Sequence, residues 1–326
     1  MPRQSYSPSD DEEPLEDKTA ALQLRSKRTS RQQKKQKKRD IKRDAIPTLA
    51  KLPTELVLEC LKLLTIADVL KFGRVNRRFR SLVDAHATVI GDSIISQRYT
   101  LLAQCFPLPR FLDDVEPSTR ELLLDEKRQR TLGLHSNKYY QHVRPLDPQV
   151  LCSCFTCLML WNNLNLALDF AHWQDNLDTG KAIPMIPRGQ APAWNEELVQ
   201  RNAAIVRAAL RNSLWHARIL EVHLDSTIRS IRRHAKNKGN KRKHVEMTEE
   251  DVEEGTDAFL VKSGPLSLEF PFHRDEYYLL EAYLPNRWWK KDLNKWIYTI
   301  AGQHERDIDL VVRYANRSQE NAQIRT

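Results

Sequence analysis

The stretch "LPTELVLECLKLLTIADVLKFGRVNRRFRSLV", Leu52 to Val83, decides the fold of this chain. From Leu52 to Leu64 only Thr54, Glu55, Glu59 and Lys62 carry polar side chains. A helix this apolar has more surface to bury than the single stripe of an amphipathic surface helix. Either the protein's own interior covers the excess, or a second protein does.

From Ile46 to about Ile95 the pattern predicts three short helices. Pro53 suits the first helical turn, where a missing N–H costs nothing. Thr65 followed by Asp68 predicts a cap for a second helix, "IADVLKFG", which Gly73 is expected to end. In a third helix, "VNRRFRSLVDAHATVIGDSI", Val75, Phe79, Leu82 and Val83 share one side at helical spacing. Arg77, Arg78 and Arg80 then face water.

This block resembles the F-box, the three-helix module that docks onto the Skp-type adaptor of cullin-based ubiquitin ligases. The resemblance rests on Leu52-Pro53, Glu55-Leu56, Leu58, Leu61, Leu64, Asp68-Val69-Leu70, Val75 and "NRRFRSL" from Asn76 to Leu82, in register without a gap. Asn76 stands where the family often has Cys, and Phe79 where it often has Trp. The resemblance implies that Leu52, Pro53, Leu56, Leu61, Leu64, Val69, Leu70 and Val75 contact the adaptor, while the other faces hold the bundle together. In physical terms this is recognition in a groove, with a few apolar anchors supplying most of the binding energy. Left uncovered, so many leucines form a patch larger than a soluble monomer usually carries.

The composition bounds the remainder. The 326 residues are 40% apolar, enough for a packed core, and nine glycines argue against a fold of tight hairpins. The net charge of +9 is local. Residues 25–43, "RSKRTSRQQKKQKKRDIKR", hold eleven Lys/Arg against one Asp, so the rest of the chain is close to neutral. Residues 1–44 are expected to be a disordered acidic and basic tail, with too few apolar side chains to offset ordering entropy. Its basic run has the composition of a nuclear-import signal, of a polyanion contact or of a plain solvated tail. No run is apolar for long enough to span a bilayer, and no secretory leader is expected. Five cysteines, an odd number, point to free thiols in a reducing intracellular setting, nucleus or cytoplasm, with the basic run favouring the nucleus.

A helical target-recognition domain is expected over 97–316, with 317–326 as a flexible end. "STRELLLDEKRQRTLGL" opens on Ser118 with Glu121 three residues later, a capping-box signal. Helices are also expected over 150–175 and 194–235, and again from "DEYYLLEAYL" onward. "FLVKSGPLSLEFPF" reads as a strand pair. Residues 229–257 pass from a basic to an acidic block and are expected to form a mobile charged insert. A softer resemblance links "CLMLWNNLNLALDFAHWQ" to the helical bodies of fungal F-box proteins of unassigned substrate.

Three places invite chemistry. "CSCFTC" sets Cys152, Cys154 and Cys157 at zinc-ligand spacing, with His142 or His172 as a fourth donor. A second C-x-x-C or Cys/His pair is missing, however, and the cysteines run into an apolar helix. They are therefore read as core side chains, and no metal or cofactor is expected. In "NRWWKKDLNKW", Trp289, Leu293, Trp296, Ile297 and Ile300 fall on one helical stripe, leaving Arg287 and Trp288 as candidate target contacts. No Gly-rich phosphate loop, H-E-x-x-H or G-x-S-x-G is present, so no catalytic residue is assigned. The expectation is a mainly α, non-enzymatic adaptor that tethers a target protein to a Skp-type adaptor and cullin scaffold, without membrane or nucleic-acid contact. The rivals are a nuclear nucleic-acid-binding protein using the basic tail and the Trp/Lys segment, and an F-box protein acting outside the ligase.

Overall fold

A computed structural model describes residues 27–45, 49–139, 143–184, 186, 190–236, 247–261, 287–290, 292, 295–298 and 303–323. The fold is mainly helical, and the chain divides into two units, residues 1–57 and 58–326.

The first unit holds helix α1 (Lys27–Ala45), a 3-10 turn (Leu49–Lys51) and the opening turn of α2 (Thr54–Leu63). Helix α1 corrects the expectation that residues 27–44 lack structure. Lys, Arg and Gln lose little rotamer freedom in a helix, so a basic run is a competent helix former. The described side chains of α1 are all exposed. Pro53 sits just before α2, and its carbonyl accepts the Val57 N–H at 3.2 Å.

The second unit continues with α3 (Ile66–Val75), α4 (Arg77–Ala85) and α5 (Ala87–Arg98). Thr65 caps α3 as the sequence predicts: its Oγ1 accepts the Asp68 N–H at 3.2 Å and donates to Asp68 Oδ2 at 2.9 Å. Gly73 does not end α3. It lies inside the helix, where a Cβ would meet Val83 at an ordinary contact distance of 3.7 Å. The expected third helix is two, α4 and α5, separated at His86. Asn76 starts α4 by accepting the Phe79 N–H on Oδ1 at 2.8 Å.

Helices α6 (Thr100–Cys105), α7 (Pro117–Leu124) and α8 (Glu126–Tyr139) follow. Ser118 is not a cap. Pro117 takes the first position of α7, so the start falls before Ser118. Asp125 splits the expected single helix, accepting the Arg128 N–H at 2.9 Å. Then come α9 (Phe155–His172), α10 (Gln174–Thr179), α11 (Ala193–Ala209), α12 (Ser213–Lys236) and α13 (Glu249–Glu254). Helix α12 is the central one, packing against α3, α5, α9 and α11. Through α3 and α5, the segment expected as an F-box (46–95) packs on this helix of the expected 97–316 domain. Ile66, Val69, Ile90, Ile94, Leu102, Leu164 and Leu220 form fully buried parts of the core.

The expected mobile insert is largely ordered at both ends. Residues 229–236 belong to α12, and Arg229 pairs with Asp178 and Asp225 at 2.9 Å. Thr248 and Asp251 form a capping box on α13. Beyond it, Asp257 is buried and accepts the Leu101 and Leu102 N–H groups at 2.8 Å, holding the start of α6. Residues 237–246 lie outside the described residues.

Two strands, β1 (Arg287–Lys290) and β2 (Lys295–Tyr298), pair antiparallel with Trp288 opposite Ile297 and Trp289 opposite Trp296. This overturns the helical stripe through Trp289 and Trp296, since a strand repeats every two residues rather than 3.6. The expected strand pair begins instead in a 3-10 turn, Ala258–Val261, and its remainder lies outside the described residues, as does "DEYYLLEAYL". Helix α14 (Gln303–Gln323) closes the described chain and packs on α7 and α9. Its span includes most of the expected flexible end over 317–326, whose last three residues lie outside the described set. Among the described residues no helix is long and apolar enough to cross a membrane.

Candidate functional site

Helix α2 carries apolar residues on two faces. Val57 and Leu61 are buried, at 3% and 1% exposure. Leu56, Cys60 and Leu63 recur at the same helical spacing on another face and are exposed, Leu56 at 53% and Leu63 at 65%. Leu64 follows at the helix end, also exposed. Val75, the last residue of α3, is 68% exposed. Pro53 is exposed, whereas Leu52 and Leu70 are half-buried. Val69 is fully buried.

The structure thus splits the eight residues assigned to partner contact. Leu61 and Val69 belong to the interior, because each lies on the inward side of its helix. Leu52, Pro53, Leu56, Leu64, Leu70 and Val75 keep part or all of their surface. Leu63 was missed by the sequence reading, although its spacing of seven from Leu56 marks the same face. Arg77, Arg78 and Arg80 are exposed, as expected. Phe72 stacks on Phe79 with ring centroids 4.2 Å apart, so an aromatic pair ties α3 to α4.

A second constellation gathers at the start of α9. The backbone bridge between Phe111 and Leu151 sets the approach, with the Cys152 N–H donating to the Arg110 carbonyl at 3.0 Å. Cys154 is the N-cap of α9, its sulfur accepting the Cys157 N–H at 3.4 Å. All three cysteines are fully buried. The histidine that joins them is neither of the two expected. His172 hydrogen-bonds Arg201 Nη2 at 3.2 Å, and His142 lies outside the described residues. Instead His304, on α14, places Nδ1 3.4 Å from both Cys154 Sγ and Cys157 Sγ.

Protons are unevenly held in this cluster. Hydrogen bonds from Cys154 and Cys157 keep the Cys152 thiol well below its ordinary range, while the contacts to Cys152 and Cys157 push Cys154 up. Hydrogen bonding to Cys152 and Cys157 raises His304 to about 10. The signal that would have found His304 is long-range packing, which local spacing does not carry.

Arg287 and Trp288 stand on β1, opposite Tyr298 and Ile297. The helical argument that separated Trp288 from its neighbours no longer applies.

The first helices thus leave Leu56, Leu63, Leu64 and Val75 in water. Residues 49–88 match the F-box domain, so the chain carries an F-box. The domain implies binding to a Skp-type adaptor and, through it, a cullin complex; F-box proteins are typically non-catalytic. No curated protein and no solved structure matches the chain.

Proposed function

We propose that this protein is the substrate-recognition subunit of a Skp–cullin–F-box ubiquitin ligase. The observation that carries the reading is the run of exposed apolar side chains, Leu56, Leu63, Leu64 and Val75, inside the matched segment. Leu52, Pro53 and Leu70 extend the docking set, whereas Leu61 and Val69 are buried. Burying a leucine on association contributes about 2 kcal/mol, so a few such anchors account for a stable complex. The helical body then holds a target protein beside a ubiquitin-charged enzyme. The mechanism is proximity: tethering raises the effective concentration of target lysines around an activity that other subunits carry. No residue of this chain does covalent chemistry in that scheme.

The test is pull-down of a Skp-type adaptor by the variant Leu56→Asp/Leu63→Asp. Both positions are exposed, so far-UV helicity and thermal stability are expected to stay unchanged while adaptor capture falls at least about 30-fold. Leu61→Asp is the contrasting variant, expected to unfold the bundle because it buries an unpaired carboxylate. Undiminished capture by the folded double variant would remove this docking surface.

A further inference from the structure

The Sγ atoms of Cys152, Cys154 and Cys157 and a ring nitrogen of His304 all lie within 4.8 Å of one another. A tetrahedral zinc ion with Zn–S of about 2.3 Å and Zn–N of about 2.0 Å places its ligand atoms roughly 3.5 to 3.8 Å apart. The two sulfur–nitrogen distances of 3.4 Å already stand near that edge. Four soft or borderline donors, three of them buried and the fourth partly so, make a complete tetrahedral set with no position left for a substrate.

The backbone around the sulfurs is directed at them. Each sulfur accepts a backbone N–H: Cys152 from Cys154 at 3.4 Å, Cys154 from Cys157 at 3.4 Å, and Cys157 from Arg110 at 3.5 Å. Three backbone N–H groups aimed at three sulfurs orient them as the outer shell of a metal site does. Arg128 adds a second, independent observation. Its Nη2 donates to the Ser153 carbonyl at 2.7 Å, while its buried Nε has no hydrogen-bond partner among the described residues. A part-buried guanidinium beside the cysteines calls for net negative charge near it. Three thiolates, a neutral imidazole and Zn²⁺ sum to one negative charge, which adds to Asp307 and Asp125 around the Arg128 guanidinium.

We propose that Cys152, Cys154, Cys157 and His304 bind one zinc ion in a closed, structural Cys3His site that clamps α14 onto the start of α9. The clamp has a built seat. Asp307, one turn after His304, accepts the Thr156 N–H at 2.7 Å and the Thr156 hydroxyl at 2.6 Å. Ile308 and Val311 pack against the core formed by the cysteines with Leu112, Val115 and Leu123. Zinc joins His304 to cysteines about 150 positions earlier in the sequence and so fixes the most distant helix of the chain. Its binding free energy becomes folding free energy for this end of the molecule. The site is independent of the docking surface on α2.

The test is metal analysis of the purified full-length chain, produced with zinc in the medium. About one zinc per chain is expected, falling to background in Cys154→Ser and in His304→Ala, with Cys60→Ser unchanged as the control. Cobalt exchanged into the wild type is expected to give the visible bands of a tetrahedral thiolate site, lost in both variants. Because those variants also loosen the fold, the wild type is treated with a chelator in parallel. Hydrogen exchange is then expected to rise over 303–323 and around Cys152–Cys157, while α2 to α4 keep their protection. Arg128→Met, which leaves the ligands in place, is expected to weaken zinc affinity by about tenfold. Zinc-free wild-type protein, or metal content unchanged in Cys154→Ser and His304→Ala, overturns the proposal.

Discussion

His223 shows how much one buried side chain reveals about the response of the molecule to acid. It lies on α12, enclosed, with its ring 4.3 Å from that of Phe106. Burial disfavours the imidazolium and lowers its pKa from the ordinary 6.5 to about 4. His216, two turns earlier on the same helix, is shifted in the same direction by burial. The unfolded chain therefore takes up a proton near pH 6.5 that the folded chain refuses until about pH 4. Stability from the neutral ring is complete above pH 6.5 and drains away as pH falls through that window. For His223 alone the loss is about 3 kcal/mol. Urea unfolding at about pH 7 and about pH 4.5 is expected to show this loss in the wild type and a clearly smaller one in His223→Leu. Equal losses in the two proteins would move the acid sensitivity elsewhere. The residue scale is also where the sequence was most readable. Thr65 and Asp68 cap α3 as their spacing says, since a capping bond closes within one turn. His304 was unreadable because nothing local connects it to Cys154, 150 positions away.

Among elements, the crossing of α5 and α12 is a point of very close backbone approach. A Cβ added at Gly91 would stand 2.3 Å from the Leu214 nitrogen and 2.3 Å from the Ser213 carbonyl carbon. Both are backbone atoms, so no rotamer change relieves the clash, and the helices must separate. Gly91→Ala is expected to cost about 3 kcal/mol, read as a lower denaturation midpoint with unchanged helicity in the folded baseline. A variant as stable as the wild type would show that the start of α12 yields easily. The element scale also explains which parts of the pattern misled. Apolar periodicity ran unbroken across Asp125 and Asn212, so single helices were expected where the structure has pairs. At both breaks a short polar side chain accepts a nearby backbone N–H, Arg128 and Leu214 respectively. Such bonds compete with the helix ladder, and periodicity alone does not see them. The Trp/Lys segment failed for a different reason. Its spacing fits a helix stripe, yet β-branched and aromatic residues flanking a short polar turn suit a hairpin equally well, and tertiary context decides.

Across the whole molecule, charge is segregated in a way that composition totals conceal. Residues 25–43 carry +10, more than the whole net charge of +9, and α1 orders most of that run into a helix with its described side chains in water. Helix formation changes what the run presents. In an extended tail the cations trail along a line; wound at about 1.5 Å per residue, they form a dense basic rod. Such a rod fits an acidic receptor groove better than a neutral one, and its dense like charge makes that association steeply salt-dependent. The rest of the chain is nearly neutral in sum. Deleting residues 25–43 is therefore expected to shift a fluorescent fusion of the full chain from nucleus toward cytoplasm while adaptor capture through α2 persists. Localisation unchanged by the deletion would reduce α1 to a solvated helix without an address. Adaptor capture lost together with the address would show that the basic helix contributes to docking.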